Sequence, residues 1–456
     1  MFRAEGNEAM GRLFGTDGVR GLANGELGVE LAVALGRAGA TVLARHAGRR
    51  PRLLLGRDPR RSGQLLEAAL AAGAMSVGAD VLRLGVATTP AVAHLVRALD
   101  VELGAVISAS HNPAPYNGIK FFSHDGFKLP DALEDEIEAL LPGAEALAAA
   151  AGPEVGTSRD RSAELGRYVD FVAAQAGDLS GLRLVCDCAN GAASELAPAA
   201  LRQAGAAVEA IAASPDGTNI NAGCGSLHPE RLGRAVVEAG AAAGFAFDGD
   251  ADRLIATDER GAVVDGDALM AVLACDLSAR GELAGDTVVA TVMSNLGLEL
   301  CLRERGMRLL RTRVGDRYVL EAMRAGGFTL GGEQSGHIIF LDRHTTGDGL
   351  TTAAAVGALL RRTGRPLSEL AAVLPRLPQV LRGVTVRDRD GAVSHPAVAA
   401  AVAAAEARLG ERGRVLVRPS GTEPLVRVMV EGADEEAVRQ AADAIAAAVA
   451  SAVGLV

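Results

Sequence analysis

Residues 103–113 read Leu-Gly-Ala-Val-Ile-Ser-Ala-Ser-His-Asn-Pro, an apolar run that ends in a polar turn. The run has the length and side chains of a buried strand, and the proline closes the turn. A similar arrangement occurs at residues 244–253, Gly-Phe-Ala-Phe-Asp-Gly-Asp-Ala-Asp-Arg. Polar loops placed by buried strands commonly carry functional residues.

Short apolar runs alternate with Ala- and Leu-rich stretches along the chain, which predicts stacked α/β domains. The predicted strands are residues 52–56, 80–84, 103–108, 182–186, 208–212 and 244–247. The predicted helices are residues 65–77, 92–99, 131–141 and an amphipathic 435–453. Because the chain has no Trp and only 3% aromatic residues, the cores must be packed from Ala, Val and Leu.

Composition shifts divide the chain into four predicted domains, one more than a simple length rule suggests. They are 1–158 with the serine loop, 159–264 with an acidic loop, 265–377 with a Gly-rich loop, and 378–456 with an arginine loop.

The overall charge and composition exclude several classes of protein. With 49% hydrophobic and 22% charged residues, the chain is globular. The net charge of −10 and the lack of a basic stripe argue against nucleic-acid binding. No apolar run has membrane-spanning length and no signal segment is recognisable, so a cytoplasmic location without membrane association is expected. Five scattered cysteines predict neither a disulfide framework nor a metal site.

The serine loop, residues 108–113, offers Ser110 as a hydroxyl directly after a strand. We expect such a serine to be rigidly placed and solvent-accessible, as a phosphoryl carrier requires. By itself, the stretch favours an ordinary polar turn closed by Pro113.

The acidic loop places Asp248, Asp250 and Asp252 at alternate positions. On an extended chain these carboxylates point the same way and can bind one hard cation such as Mg²⁺. A solvated loop is the alternative. A calcium EF-hand is rejected, since Arg253 occupies the position that requires glycine.

The Gly-rich loop, residues 331–337, combines glycines with Glu333, Ser335 and His337, which suit hydroxyl recognition. The alternative is a Gly-rich hairpin whose polar side chains bind no ligand.

The arginine loop begins at Arg418 and continues through Ser420, Gly421 and Thr422, with Arg427 beyond it. Two guanidinium groups beside hydroxyls and backbone N–H groups favour an anion-binding nest over a plain turn.

In combination, the loops resemble the α-D-phosphohexomutase family. The resemblance begins at residues 15–21, Gly-Thr-Asp-Gly-Val-Arg-Gly, and its four motifs follow in order: SASHNPAPYNGIKFF, DGDADR, GGEQSGH and RPSGTEP. It implies an α/β fold: three similar α/β domains with mixed sheets plus a smaller C-terminal α+β domain around a central cleft.

GEQSGH together with VGDRYV at 314–319 is most similar to the branch of the family that acts on glucosamine phosphates. The resemblance implies interconversion of glucosamine 6-phosphate and glucosamine 1-phosphate through a phosphoserine enzyme and a bisphosphate intermediate. It also implies one Mg²⁺ per chain, phosphorylation of Ser110 and a small phosphosugar substrate. A homodimer is one option that the sequence leaves open.

The resemblance also implies a set of site residues. The catalytic set is Ser110, His111, Lys120, Arg20 and Arg253. The substrate-binding set is Glu333, Ser335, His337, Arg418, Ser420, Gly421, Thr422 and Arg427. The metal set is Ser110, Asp248, Asp250 and Asp252. His111 and Lys120 are alternative general bases, and His111 has loop orientation as its other role. Asp316 and Arg317 either line the cleft or form a surface ion pair.

Three other functions remain open at this point. A phosphomannomutase/phosphoglucomutase of the same family would differ only in its sugar contacts. An aspartyl phosphatase of the haloacid-dehalogenase type would carry phosphate on an Asp after a strand. A non-catalytic sugar-phosphate sensor would keep the cleft but would not need a carrier hydroxyl.

Overall fold

A computed structural model describes residues 12–15, 17–48, 50–420 and 425–453. The chain forms two compact units. The larger one ends its first part at Val292 and resumes over Leu310–Ala371, and the smaller one comprises Met293–Leu309 and the chain from Ala372 onwards.

The described elements alternate as predicted, with bounds within three residues of the expected ones. The strands are β1 Val19–Leu22, β2 Arg52–Arg57, β3 Asp80–Val86, β4 Leu103–Ile107, β5 Tyr116–Ser123, β6 Ser158–Asp160, β7 Arg183–Asp187, β8 Ala207–Ile211, β9 Ala243–Phe247, β10 Leu254–Asp258, β11 Val263–Val264, β12 Thr287–Thr291, β13 Arg308–Thr312, β14 Leu330–Gly332, β15 Ile338–Phe340, β16 Gln379–Thr385, β17 Gly413–Pro419 and β18 Leu425–Gly432. The helices are α1 Val29–Ala47, α2 Gly63–Ser76, α3 Thr89–Ala98, α4 Asp131–Leu140, α5 Leu165–Ala176, α6 Ala193–Gln203, α7 Pro229–Ala239, α8 Gly266–Ala279, α9 Leu296–Glu304, α10 Asp316–Gly326, α11 Gly349–Thr363, α12 Leu367–Ala371, α13 Arg389–Ser394, α14 Pro396–Leu409 and α15 Glu435–Val453.

The larger unit contains mixed sheets, which confirms the predicted fold class. The first sheet has the order β1-β5-β4-β2-β3-β6, in which β4 and β5 are antiparallel and β2 is parallel to both β3 and β4. The second has the order β11-β10-β9-β7-β8, with β7 parallel to β8 and β9. Beyond them, β12 runs parallel to β14, and β14 pairs antiparallel with β15.

The smaller unit contains an antiparallel sheet of order β16-β18-β17. Its core is mostly valine and alanine, with α15 supplying Val438, Ile445 and Val449. The amphipathic pattern of residues 435–453 is thereby explained as a packing face. None of the described helices is both long and apolar enough to cross a bilayer.

Small residues allow close packing in a protein with few large side chains. In α1 and α2, a Cβ on Gly36 would lie 2.2 Å from the carbonyl oxygen of Leu70, and one on Gly73 would lie 2.1 Å from that of Val33. The two backbones therefore touch where side chains normally separate helices. The expectation of cores built from small aliphatic residues is confirmed.

Strand ends and helix starts bring the functional loops together. The serine loop follows β4 and the acidic loop follows β9. Helix α3 begins where Thr88 caps it, its hydroxyl accepting from the N–H of Ala91 at 3.2 Å. This cap places Thr89 beside the acidic loop, where its N–H donates to the carbonyl oxygen of Asp250 at 3.0 Å.

Candidate active site

Ser110 lies in the serine loop with its side chain aimed at the acidic loop. Its Oγ donates to Asp248 Oδ2 at 2.5 Å and lies 3.2 Å from His111 Nδ1. The backbone of Ser110 has a φ of 51°, a left-handed conformation that costs free energy for a residue with a Cβ. The expectation of a solvent-accessible serine is wrong for this structure, because the two loops close over Ser110 and leave it 1% exposed.

Arg60 binds the backbone of the serine loop, a role that the sequence motifs did not predict. Its guanidinium donates to the carbonyl oxygens of Ser110 at 3.0 Å and Asn112 at 2.8 Å, and also to those of Pro113 and Tyr116. The guanidinium is itself held by Asp58, 2.8 Å away, in a fully buried ion pair. The available signal was the charged stretch Arg57–Arg61 directly after a predicted strand, in the position of a functional loop.

The acidic loop brings three carboxylates to one point. Oxygens of Asp248, Asp250 and Asp252 lie within 4.8 Å of one another, and all three residues are buried. The predicted convergence is confirmed, but the predicted reason is wrong. The loop turns instead of extending: the N–H of Ala251 donates to the carbonyl oxygen of Asp248, and Ala251 has a φ of 59°.

These residues fit a hard divalent cation. Asp250 Oδ2 accepts from Thr89 Oγ1 at 2.7 Å and from Lys120 Nζ at 2.8 Å, while Asp250 Oδ1 is buried without a hydrogen-bond partner. Asp252 Oδ1 is likewise buried without a hydrogen-bond partner. Burial and the neighbouring Asp252 and Asp250 raise the pKa of Asp248. Mg²⁺ prefers carboxylate oxygens as ligands. A bound cation would also offset the repulsion between these buried, closely spaced carboxylates.

The two base candidates lie in opposite electrostatic surroundings. Burial lowers the pKa of His111 to about 4, assisted by the positive charges of Arg253 and Arg20. Lys120 is also buried, which by itself would lower its pKa, but the neighbouring Asp17 and Asp250 raise the pKa of its ammonium well above the usual value. His111 is therefore neutral near pH 7, whereas Lys120 is a fixed positive charge.

Two arginines of the predicted catalytic set border the same loops. Arg253 is the last residue of the acidic loop, where its N–H donates to Asp248 Oδ1 at 3.3 Å. Its Nε lies 3.9 Å from Asp252 Oδ1. Arg20 forms an ion pair with Asp17, a residue of the quoted 15–21 motif to which no role was given.

The Gly-rich loop joins β14 and β15 and packs against the acidic loop. The N–H of Leu254 donates to the carbonyl oxygen of Gly336 at 3.0 Å. His337 Nδ1 lies 3.7 Å from Asp252 Oδ2, and Ser335 Oγ is buried without a partner. Glu333 Oε1 accepts from the N–H of Gly315 at 3.3 Å. The structure thus places His337 against the acidic loop, and Glu333 and Ser335 precede it in the same Gly-rich loop.

Asp316 and Arg317, for which two roles were open, both line one cavity but have different ion-pair partners. Asp316 contacts Lys128, and its Oδ2 lies 3.6 Å from His337 Nε2. Arg317 instead forms an ion pair with Glu134 at 3.0 Å.

The predicted phosphate-binding residues belong to the smaller unit. Arg418 on β17 and Arg427 on β18 are register partners, and burial together with Arg427 lowers the pKa of Arg418. The carbonyl oxygen of Ser420 accepts from Arg389 Nη1 at 2.6 Å, so a third arginine adjoins the loop. Gly421 and Thr422 lie outside the described residues.

Four family descriptions match successive parts of the chain. They are the phosphoglucomutase/phosphomannomutase alpha/beta/alpha domains I at residues 11–147, II at 166–261 and III at 265–377, and the C-terminal domain at 383–448.

Similar proteins are known from bacteria and a fungus. A phosphoglucosamine mutase from Desulforudis audaxviator (strain MP104C) is 58% identical over 428 residues, which is 93% of this chain and 95% of the relative. The crystal structure of a phosphoglucomutase/phosphomannomutase family protein from Burkholderia thailandensis is 26% identical with a TM-score of 0.81, covering 97% of both chains. Aspergillus fumigatus N-acetylphosphoglucosamine mutase, solved with GlcNAc-6P and magnesium, is similar in fold, with 18% identity, a TM-score of 0.66, and coverage of 97% of this chain and 96% of that chain.

Proposed function

This chain belongs to the phosphoglucomutase/phosphomannomutase family, and on that premise we propose that it interconverts glucosamine 6-phosphate and glucosamine 1-phosphate. It is an isomerase that works by moving a phosphoryl group within one substrate. The observation that carries the proposal is the 2.5 Å hydrogen bond from Ser110 Oγ to Asp248, which unites a carrier hydroxyl with a cation-binding trio.

Ser110 is the proposed phosphoryl carrier. A substrate hydroxyl oxygen forms a new bond to phosphorus, the bond between phosphorus and Ser110 Oγ breaks, and the hydroxyl proton ends on Ser110 Oγ. The product of this step is a sugar bisphosphate, which reorients and returns its other phosphoryl group to Ser110 by the reverse steps. His111 Nδ1, 3.2 Å from Ser110 Oγ, is the group placed to hold the proton during transfer.

Asp248, Asp250 and Asp252 would hold the metal, together with an oxygen of the phosphorylated Ser110. A magnesium ion bound there would withdraw negative charge from the transferring phosphoryl group. Lys120 supplies a permanent positive charge 2.8 Å from Asp250, and Arg253 and Arg20 supply two more beside the serine loop. These charges favour a dianionic group at Ser110.

The sugar contacts of the proposal come from Glu333, Ser335 and His337. Ser335 Oγ is buried without a hydrogen-bond partner in the protein, which leaves its hydrogen-bonding capacity unused. For the distal phosphate, the proposed residues are the arginine-loop set Arg418, Ser420, Gly421, Thr422 and Arg427. Guanidinium groups bind phosphate through paired hydrogen bonds, which suits whichever phosphate is not reacting.

The remaining expectations stay predictions: domain boundaries at 158/159, 264/265 and 377/378, a homodimer, and residence in the cytoplasm. None of the five described cysteines is joined in a disulfide, which suits a reducing compartment.

The test is a coupled assay of glucosamine 1-phosphate formation with peptide mass mapping of residues 98–120. We expect turnover by the wild type, phosphate on Ser110, and loss of turnover with retained substrate binding in Ser110→Ala. Preference for mannose or glucose phosphates would favour the phosphomannomutase/phosphoglucomutase alternative. An alkali-labile phosphate on an aspartate, or full indifference to Ser110→Ala, would overturn the proposal.

A further inference from the structure

Lysine is rare in this chain in a way that singles out two positions. Of 46 lysine and arginine residues, only Lys120 and Lys128 are lysines. Their side chains are 2% and 11% exposed, and both bind the carboxylate of Asp17. All the remaining residues of this set are arginines, and the ammonium groups of both lysines contact one carboxylate.

The two lysines belong to a closed ring in which acidic and basic side chains alternate. Lys120 Nζ lies 2.9 Å from Asp17 Oδ2, and Lys128 Nζ lies 2.5 Å from Asp17 Oδ1. Lys128 also contacts Asp316. His337 lies between two carboxylates, with Nε2 3.6 Å from Asp316 Oδ2 and Nδ1 3.7 Å from Asp252 Oδ2. The ring closes because Lys120 Nζ lies 3.7 Å from Asp252 Oδ2. We call these six residues the charge ring: Asp17, Lys120, Asp252, His337, Asp316 and Lys128.

The position of Lys128 suits an ammonium group and not a guanidinium group. An ammonium is a compact charge with three donors, so it can sit between two carboxylates. A guanidinium is planar and wider, and it pairs best with one carboxylate side-on. On its outer side Lys128 borders a cavity of about 230 Å³, which Asp316, His337 and Arg324 also line.

We propose that Lys128 is a positioning residue for phosphoryl transfer, a role that rests on the proposed function. Lys128 holds one oxygen of Asp17, which leaves the other oxygen to Lys120 and Arg20. Through Asp17 it fixes the direction of the Lys120 ammonium toward Asp250, and through Asp316 it fixes His337 beside Asp252. Lys128 itself touches neither Ser110 nor the cation-binding oxygens.

Kinetics of three variants test this role. Because small misplacements of catalytic groups are costly, we expect kcat to fall about tenfold or more in both Lys128→Met and Lys128→Arg, with KM changed less than about threefold. Arg324→Met is the matched control, since Arg324 lines the same cavity, stacks on Phe127 at 4.2 Å and lies outside the charge ring. Wild-type kcat in Lys128→Met would overturn the role, and wild-type kcat in Lys128→Arg would overturn the requirement for an ammonium.

A spectroscopic measurement keeps the inference independent of activity. Protein labelled only on lysine side chains with ¹³C at Cε gives two resonances, one per lysine, in the Mg²⁺-loaded enzyme. Lys128→Met removes one resonance, and we expect the remaining Lys120 resonance to shift, whereas Arg324→Met leaves both unchanged. An unmoved Lys120 resonance in a folded Lys128→Met protein would overturn the inference. Failure of the proposed function is recognised separately, since the wild type would then lack mutase turnover.

Discussion

The side-chain amide of Asn221 donates to the carbonyl oxygen of Ser110 at 2.9 Å. This contact comes from a polar loop 111 residues further along the chain and acts on the same carbonyl that Arg60 binds. Two donors on one carbonyl hold the left-handed backbone of Ser110 in place. The unfavourable conformation at Ser110 is therefore maintained by these tertiary contacts together with one bond inside its own loop, from the Ser110 N–H to Ser108 Oγ at 3.0 Å.

Removal of the Asn221 amide should disturb the serine without unfolding the protein. We expect Asn221→Ala to lower kcat by about tenfold, because Ser110 loses one of two restraints on its carbonyl. Asn219→Ala is the control, since the Asn219 amide bonds to Ser214 in the same loop. Steady-state kinetics of the two variants check this, and equal losses in both would mean that general loop integrity is responsible.

Gly249 in the acidic loop packs directly against the serine loop, and the space at this position is too small for a side chain. A Cβ at this position would lie 2.5 Å from the carbonyl oxygen of Ser110. We expect Gly249→Ala to lower kcat by about a hundredfold by displacing Ser110. Gly166→Ala serves as control, since a Cβ there meets nothing within 4 Å and helix α5 should gain about 0.5–1 kcal/mol. Near-normal kinetics in Gly249→Ala would contradict the close approach of the loops.

Metal affinity should depend on the unpartnered oxygens of the acidic loop. We expect Asp252→Asn to weaken Mg²⁺ binding by at least about tenfold, because it replaces one of the three proposed ligand carboxylates by a neutral amide. Calorimetric titration of the unphosphorylated protein with MgCl₂ gives the affinity directly. Asp443→Asn removes the same charge from an exposed ion pair with Arg382 and should leave Mg²⁺ binding unchanged. Equal affinities in the wild type and Asp252→Asn would exclude the acidic loop as the metal site.

The stability of the larger unit should depend on pH through His94. The ring of His94 lies 4.4 Å from that of Phe171, and burial together with His344 lowers its pKa to about 4. In the unfolded chain the imidazole binds its proton near pH 6.5. Between about pH 6.5 and 4 the unfolded state therefore binds more protons, so the free energy of unfolding falls as the pH is lowered.

Urea unfolding at pH 7.5 and pH 5 measures this dependence. We expect His94→Gln to lose less stability than the wild type over that interval, although its stability at pH 7.5 is lower. His124→Gln, at an exposed position, should follow the wild type. Parallel losses in the wild type and His94→Gln would show that other groups control the acid sensitivity.

Most of the fold followed from hydrophobic patterning. The predicted strand at 52–56 and the final helix at 435–453 match β2 and α15 closely, because the first is a continuous apolar run and the second has a clear helical apolar period. The predicted trio of aspartates also converges, but through a turn with Ala251 at positive φ. Alanine gives no local signal for that conformation, so an extended loop was the natural expectation.

The linear sequence alone determined the α/β class and the family, and it singled out Ser110 as the proposed carrier beside the three aspartates, since these inferences depend on short-range patterns and ordered motifs. Only the tertiary structure decided that Ser110 is buried, that Arg60 and Asn221 hold its carbonyl, and that Asp17 joins the two lysines. Those contacts span from 50 to more than 100 residues of chain. Their energies depend on burial and on distances between side chains, and neither is written in the spacing of residues along the chain.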